Sequence, residues 1–170
     1  MNYVAYTDAT AEPGATAANN HAVVRVAYSR NGGTTWTIKT PHETTDSLTV
    51  DRFHPWLKVD QNGRVHVVYY DTRNSAARDG VDFFYSYSND GGATWSTPAR
   101  LTSINTPKPA DSFEWGDYNG MDMALSKAVG IFTDNSSEDA SGNTQDVYSA
   151  TDFAVTGALG EAPLFKNGFE

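Results

Sequence analysis

The chain contains no cysteine, which excludes a disulfide framework without identifying a compartment. Its apolar runs all fall short of the ~18 residues that a membrane-spanning helix needs. Positive charge is scarce: 12 Lys and Arg stand against 21 Asp and Glu, for a formal net charge of −9 and a pI near 4.7. That balance argues against nucleic acid or an anionic membrane surface as partner, and its simplest use is solubility. Helical periodicity is missing as well, because apolar residues alternate or bunch in short runs. The four histidines His21, His42, His54 and His66 show no zinc-ligand spacing. Phosphate loops, Gly-x-Ser-x-Gly elbows and dinucleotide fingerprints are absent too. We therefore expect no cofactor and no metal site.

What is present is a repeat. Ser29-Arg30-Asn31-Gly32-Gly33-Thr34-Thr35-Trp36 and Ser88-Asn89-Asp90-Gly91-Gly92-Ala93-Thr94-Trp95 share the pattern Ser-x-(Asp/Asn)-x-Gly-x-x-Trp. Each follows a tyrosine, Tyr28 or Tyr87, that closes a strand-like run. The chemistry predicts hairpin turns. A Ser hydroxyl and an Asx side chain hydrogen-bond nearby backbone N–H groups, glycine supplies positive φ, and Trp pins the returning strand in the core. The structural set is Ser29, Asn31, Gly33 and Trp36 in one copy and Ser88, Asp90, Gly92 and Trp95 in the other.

The repeat extends beyond the turns. Asp8, Asp71 and Asp134 each end a strand-like run, at a constant step of 63 residues. Tyr28 and Tyr87 are 59 apart, and Tyr148, a further 61 on, reads as the third equivalent of a copy that has lost its glycines and Trp. A period of about 60 suits a four-stranded sheet with generous loops. Within the runs, Arg64, His66, Val68 and Tyr70 face one way and Val65, Val67, Tyr69 and Asp71 the other. The expectation is an all-β chain.

On the two eight-residue turns the chain resembles the Asp-box (BNR) repeats of sialidase-like β-propellers. The resemblance implies about three consecutive four-stranded antiparallel blades of a six-bladed ring, roughly residues 1–50, 51–105 and 106–160, with a tail at 161–170. It also implies ring closure by missing blades or by a second copy. Met1 is followed at once by strand-like sequence with no signal peptide. Phe165-Lys166-Asn167-Gly168-Phe169-Glu170 resembles the short C-terminal tails of many secreted Gram-negative proteins. Together these features predict the C-terminal part of a larger protein, secreted or at the cell surface.

In an antiparallel meander successive turns alternate between the two ends of a sheet. The Ser-x-Asx turns occupy one end, and family resemblance places a ligand site at the other. Candidates there are Asp71, Arg73 and Asp134 at the ends of strands, with His54 in Phe53-His54-Pro55-Trp56 and Trp115, Asp117 and Tyr118 in Trp115-Gly116-Asp117-Tyr118-Asn119-Gly120. Counting back 17 from Asp71 and Asp134 gives His54 and Asp117, so the two segments, each on the approach to an inner strand, occupy equivalent places. Carboxylates for hydroxyls and aromatic faces for sugar rings would suit a glycan. The same aspartates could equally cap their loops, and Trp56 and Trp115 could fill gaps between sheets.

A sialidase, by the same resemblance, needs an arginine clamp for a sugar carboxylate, a tyrosine nucleophile with a carboxylate partner and an aspartate acid/base. The family's Phe/Tyr-Arg-Ile-Pro segment, which carries the first clamp arginine, is absent, and Tyr118 and Asp117 as strand neighbours point to opposite faces. No catalytic residue is assigned. The oxygen-rich stretch 134–146 lacks the order of an EF-hand and reads as a solvated loop. The expected function is a propeller module recognising glycan or protein; the alternative is part of a sialidase-like glycoside hydrolase whose catalytic set is incomplete here.

Overall fold

A computed structural model describes residues 1–9, 16, 20–43, 50–108, 115, 119–124, 127–134 and 146–151. They form eleven strands in three antiparallel sheets. The first sheet orders β1 (Asn2–Asp8), β2 (Val23–Ser29) and β3 (Thr37–Lys39). The second orders β4 (Arg52–Val59), β5 (Val65–Asp71), β6 (Gly80–Ser88) and β7 (Ala99–Arg100), with β8 (Thr106–Pro107) also on β6. The third orders β9 (Gly120–Ala124), β10 (Lys127–Asp134) and β11 (Asp146–Thr151). No helix of the described residues is long and apolar enough to cross a membrane.

The second sheet is the middle layer. Alternation sends Val68, Tyr70, Phe83 and Tyr85 to one face, where they meet Met121, Ala128 and Phe132 of the third sheet. Val67, Tyr69 and Phe84 take the opposite face and meet Val24 of the first. Every residue of β5 is therefore buried, which an antiparallel strand shows only when both of its faces are covered. Phe83 stacks on Phe132 with ring centroids 4.6 Å apart. Burial of such a side chain contributes about 1.5–3 kcal/mol.

Both Ser-x-Asx segments are turns held by one hydrogen-bond scheme. The Ser29 hydroxyl donates to Asn31 Oδ1 at 3.0 Å and accepts the Gly33 N–H at 2.8 Å; Ser88 does the same with Asp90 at 2.8 Å and Gly92 at 2.7 Å. Gly33 and Gly92 have φ of 94° and 91°, values that glycine adopts without strain. The two differ in one contact. Thr94 Oγ1 donates to Asp90 Oδ2 at 2.6 Å, whereas Asn31 Nδ2 donates to Thr35 Oγ1 at 2.9 Å. The hydrogen bond reverses because an amide presents N–H where a carboxylate presents a lone pair.

Three expectations need correction. Trp95, partly buried, packs against the core cluster between the first two sheets, but Trp36 is 43% exposed. Trp36 belongs to the outward face of the first sheet, with Val4 and Ile38, against which no described sheet packs. Tyr148 is not the third equivalent of Tyr28 and Tyr87. Asp8, Asp71 and Asp134 stand opposite Val23, Asp82 and Asp146, and five residues beyond those partners come Tyr28, Tyr87 and Thr151. Connections of different length make tyrosine spacing a poor guide to register. Finally, Phe53-His54-Pro55-Trp56 lies inside β4 rather than ahead of it, as a bulge between Phe53 and Trp56.

The turns give a stability prediction. Ser88 and Ser29 are both buried, and replacing either by Ala leaves a glycine N–H without its acceptor, at a cost of about 1–3 kcal/mol. Ser88→Ala should lose more in urea unfolding than Ser29→Ala, because its hydroxyl also bonds a charged carboxylate.

Candidate functional site

The end of the sheets opposite the Ser-x-Asx turns is organised around β4, which packs against both β1 and β9. Pro55 offers no N–H to the ladder, and the strand bulges beside it. The residue that absorbs the bulge is His54, with φ of 48°. A bulky residue in that region carries backbone strain and persists only where its surroundings hold it. Neighbours on both sides do so here. The His54 N–H donates to Thr7 Oγ1 of the first sheet at 3.1 Å, and its carbonyl accepts Asn119 Nδ2, just ahead of the third, at 2.5 Å. Two further ties run from β4 to β9: Trp56 Nε1 donates to the Met121 carbonyl at 3.1 Å, and Lys58 pairs with Asp122 at 2.8 Å.

An aromatic cluster surrounds this bulge. Phe53 lies edge-on to His54 at 5.0 Å, and 5.7 and 5.8 Å from the rings of Tyr70 and Trp115. His54 meets Tyr70 edge-on at 6.2 Å. Trp115 is fixed by its indole N–H, which donates to the Pro107 carbonyl at 3.0 Å. The Tyr70 hydroxyl donates to the Thr133 carbonyl and accepts the Thr133 N–H, both at 2.9 Å. Burial pushes Tyr70 up to about 12, so it stays protonated and serves as a hydrogen-bonding anchor rather than a nucleophile.

The charged candidates sit deeper. Asp71 is fully buried. Its Oδ2 accepts Arg52 Nε at 2.7 Å and Arg73 Nε and Nη2 at 3.0 and 2.7 Å, while Oδ1 accepts the Arg73 N–H at 2.7 Å. Arg73 continues to Glu43, with Nη1 donating to Oε1 at 3.1 Å, and its guanidinium lies over the Phe84 ring at 4.2 Å. Burial alone would lower the Arg73 guanidinium, but its bonds and charge contacts with Asp71 and Glu43 outweigh that and raise it above its usual value. Asp134 is buried and accepts Thr106 Oγ1 at 2.7 Å. The structure thus brings His54 and Trp115 together at the bulge, and places Asp71, Arg73 and Asp134 in internal contacts. Asp117 and Tyr118 lie outside the described residues, as does most of the 134–146 stretch.

Two polar networks have no counterpart among the candidates read from the sequence. Asp82, fully buried, accepts Arg100 Nη2 at 2.6 Å, Thr102 Oγ1 at 2.8 Å and Asn74 Nδ2 at 2.6 Å. His66, also fully buried, meets the Tyr85 hydroxyl through Nδ1 at 2.8 Å and Asp60 through Nε2 at 3.4 Å. Their signal was a single polar residue inside an apolar run, Val81-Asp82-Phe83 and Val65-His66-Val67, which demands a partner once buried. Among the described residues no group of three or more His, Asp and Glu could hold a metal ion.

Comparison with known proteins adds little. No protein-family model matches the chain. None of the curated proteins matches it. Among solved structures the chain is similar to one described as Hadza microbial sialidase Hz136, at 15% sequence identity and a TM-score of 0.46, over 66% of this chain and 26% of that one. The chain thus spans about a quarter of that protein's length. At that score the likeness carries no argument about function, which rests on the geometry above.

His66 supplies a pH prediction. Burial lowers its pKa below the ordinary value, and the contact with Asp60 opposes the shift only in part. The folded state therefore binds the proton less readily than the unfolded chain. Stability from this group is complete above about pH 6.5 and declines as pH falls from there, by at most about 1.4 kcal/mol per pH unit. Melting temperatures measured from pH 7 to pH 5 should fall, and His66→Gln should show a shallower decline than the parent.

Proposed function

We propose that the chain comprises consecutive blades of a sialidase-like β-propeller, with Asp-box turns at one end and a glycan-recognition surface at the other. Three stacked antiparallel sheets, the middle one covered on both faces, support the blade reading. The paired Ser-x-Asx turns support the Asp-box reading. In this reading the protein is secreted or displayed at the cell surface, and further blades or a second copy cover the outward face of the first sheet.

The observation that carries the recognition reading is the bulge at His54. A strained, non-glycine residue is held by hydrogen bonds on both sides at the point where β1, β4 and β9 approach one another, and Phe53, Tyr70 and Trp115 surround it. Strain retained in a rigid setting beside aromatic rings is how binding sites are pre-organised. Aromatic faces with neighbouring polar groups suit a sugar ring more than a flat protein epitope.

Hydrolysis of sialosides is the weaker reading. It needs unencumbered arginines to clamp a carboxylate. Yet five of the seven arginines, Arg25, Arg52, Arg73, Arg78 and Arg100, each pair with an aspartate, respectively Asp8, Asp71, Asp71, Asp51 and Asp82, and Arg30 and Arg64 lie at the Ser-x-Asx end of their sheets. Incubation with a fluorogenic sialoside should give no turnover above background. In a glycan-array screen the chain should bind at least one oligosaccharide, with a Kd of about 1 mM or tighter, and Trp115→Ala should weaken that binding about tenfold while leaving the fold intact by circular dichroism. Turnover that Arg73→Ala abolishes would contradict the proposal.

A further inference from the structure

A second site lies away from the His54 bulge, at the seam between the first and second sheets. A cavity of about 340 Å³ opens there between the segment that follows β3 and the segment that leads from the second Ser-x-Asx turn to β7. Lys39, Thr40 and Glu43 line one side; Trp95, Thr97 and Pro98 line the other. Its volume is at the lower end of the range for ligand pockets, enough for one ring rather than an oligomer.

Trp95 distinguishes this cavity from a packing defect. The chain has four tryptophans, and three have satisfied indole N–H groups. Trp36 donates to the Gly33 carbonyl of its own turn at 3.0 Å, Trp56 to Met121 at 3.1 Å and Trp115 to Pro107 at 3.0 Å. The Trp95 N–H is buried and makes no hydrogen bond among the described residues. Trp36 and Trp95 hold the same position in the same turn, so the repeat supplies an internal control. The backbone acceptor that Trp36 uses is not used by Trp95. A buried donor without a partner is costly, and is retained where something else supplies the acceptor.

The other lining groups define that acceptor's chemistry. The Lys39 side chain is exposed and makes no ion pair among the described residues. Glu43 is held by Arg73, with Oε2 2.9 Å from Nη2, and so stays fixed as an acceptor at the edge of the cavity. Thr40 accepts Arg25 Nη1 at 2.7 Å and keeps its own O–H to donate. The cavity therefore presents an indole and a proline ring as apolar wall, with donors and acceptors interleaved around it. A pyranose ring matches this arrangement, since its C–H face packs on an aromatic surface while its hydroxyls both donate and accept. An apolar peptide side chain would leave Lys39 and the Thr40 hydroxyl unmatched. The net charge of −9 disfavours an acidic sugar.

We infer that the seam between the first and second sheets binds a neutral monosaccharide unit, with the Trp95 indole N–H donating to a ring hydroxyl and Lys39 to another. The site is separate from the His54 surface and stands or falls independently of it.

Nuclear magnetic resonance on the isotopically labelled chain tests this directly, because each indole N–H gives its own signal. Methyl glycosides of glucose, galactose, mannose and N-acetylglucosamine would be titrated singly to tens of millimolar. The assigned Trp95 signal should move saturably with at least one of them, and the exposed-site variant Lys39→Ala should weaken that binding about tenfold. Failure of the Trp95 signal to move with any of the four overturns the inference. So does a shift that is non-saturating or unchanged in Lys39→Ala. Movement of the Trp115 signal alone overturns it as well, while favouring the His54 surface.

Discussion

The buried carboxylate of Asp71 is the constraint on which the arrangement of the first two sheets depends. Removing such a charge from water costs several kcal/mol, and one ion pair seldom recovers it. Asp71 has two guanidiniums and a backbone N–H, supplied by Arg52 in β4 and by Arg73 just beyond β5. Attraction between unit charges about 4 Å apart is roughly 4 kcal/mol at an effective dielectric of 20, so each partner offsets much of that cost, and removing one would leave the other charge buried and uncompensated. Arg73 then passes the connection to Glu43, after the first sheet, and lies over Phe84 in β6. One carboxylate thereby fixes two strands of the middle sheet and the segment that packs beside them.

The same arrangement separates structural from available chemistry. Aspartates recur at the ends of β1, β5 and β10, and each is engaged: Asp8 with Arg25, Asp71 with two arginines, Asp134 with Thr106. Repetition here reflects a repeated structural need, because a ligand off the repeat axis would not require one residue type from every sheet. Two features stand apart from this pattern: the His54 bulge in β4, and the Trp95 indole, which makes no hydrogen bond among the described residues although Trp36 in the matching turn does. Both break the local pattern of the sheet that carries them, and functional sites concentrate where such patterns break.

Much of the fold could be read directly. Alternation around Val65–Asp71 marks a strand, although its cover on both faces emerges only from the packing, and the glycines of both Ser-x-Asx turns have the positive φ their chemistry demands. The step of 63 residues survives as register, since Asp8, Asp71 and Asp134 all pair at the matching end of their strands. The site was less legible, because its contacts are long-range. Arg73 meets Glu43 across 30 residues, and Asn119 meets His54 across 65. Phe53-His54-Pro55-Trp56 reads in the sequence as the approach to an inner strand, but only tertiary contacts decide whether a proline stands before a strand or bulges it from within. Tyr148 misled because spacing between tyrosines includes loops whose length is free to vary, whereas hydrogen-bonded register does not.

The central claim is that Asp71 and Arg52 stabilise the protein as a unit rather than as two separate polar residues. A double-mutant cycle in urea unfolding measures this most directly, using Asp71→Asn, Arg52→Met and the double variant. Asp71→Asn alone leaves Arg52 buried without its counter-charge and should cost about 3–5 kcal/mol. The double variant should be more stable than the sum of the single losses by about 1 kcal/mol or more. Losses that add to within about 0.5 kcal/mol would show the two groups to be independent, and would contradict the account of how these sheets are held together.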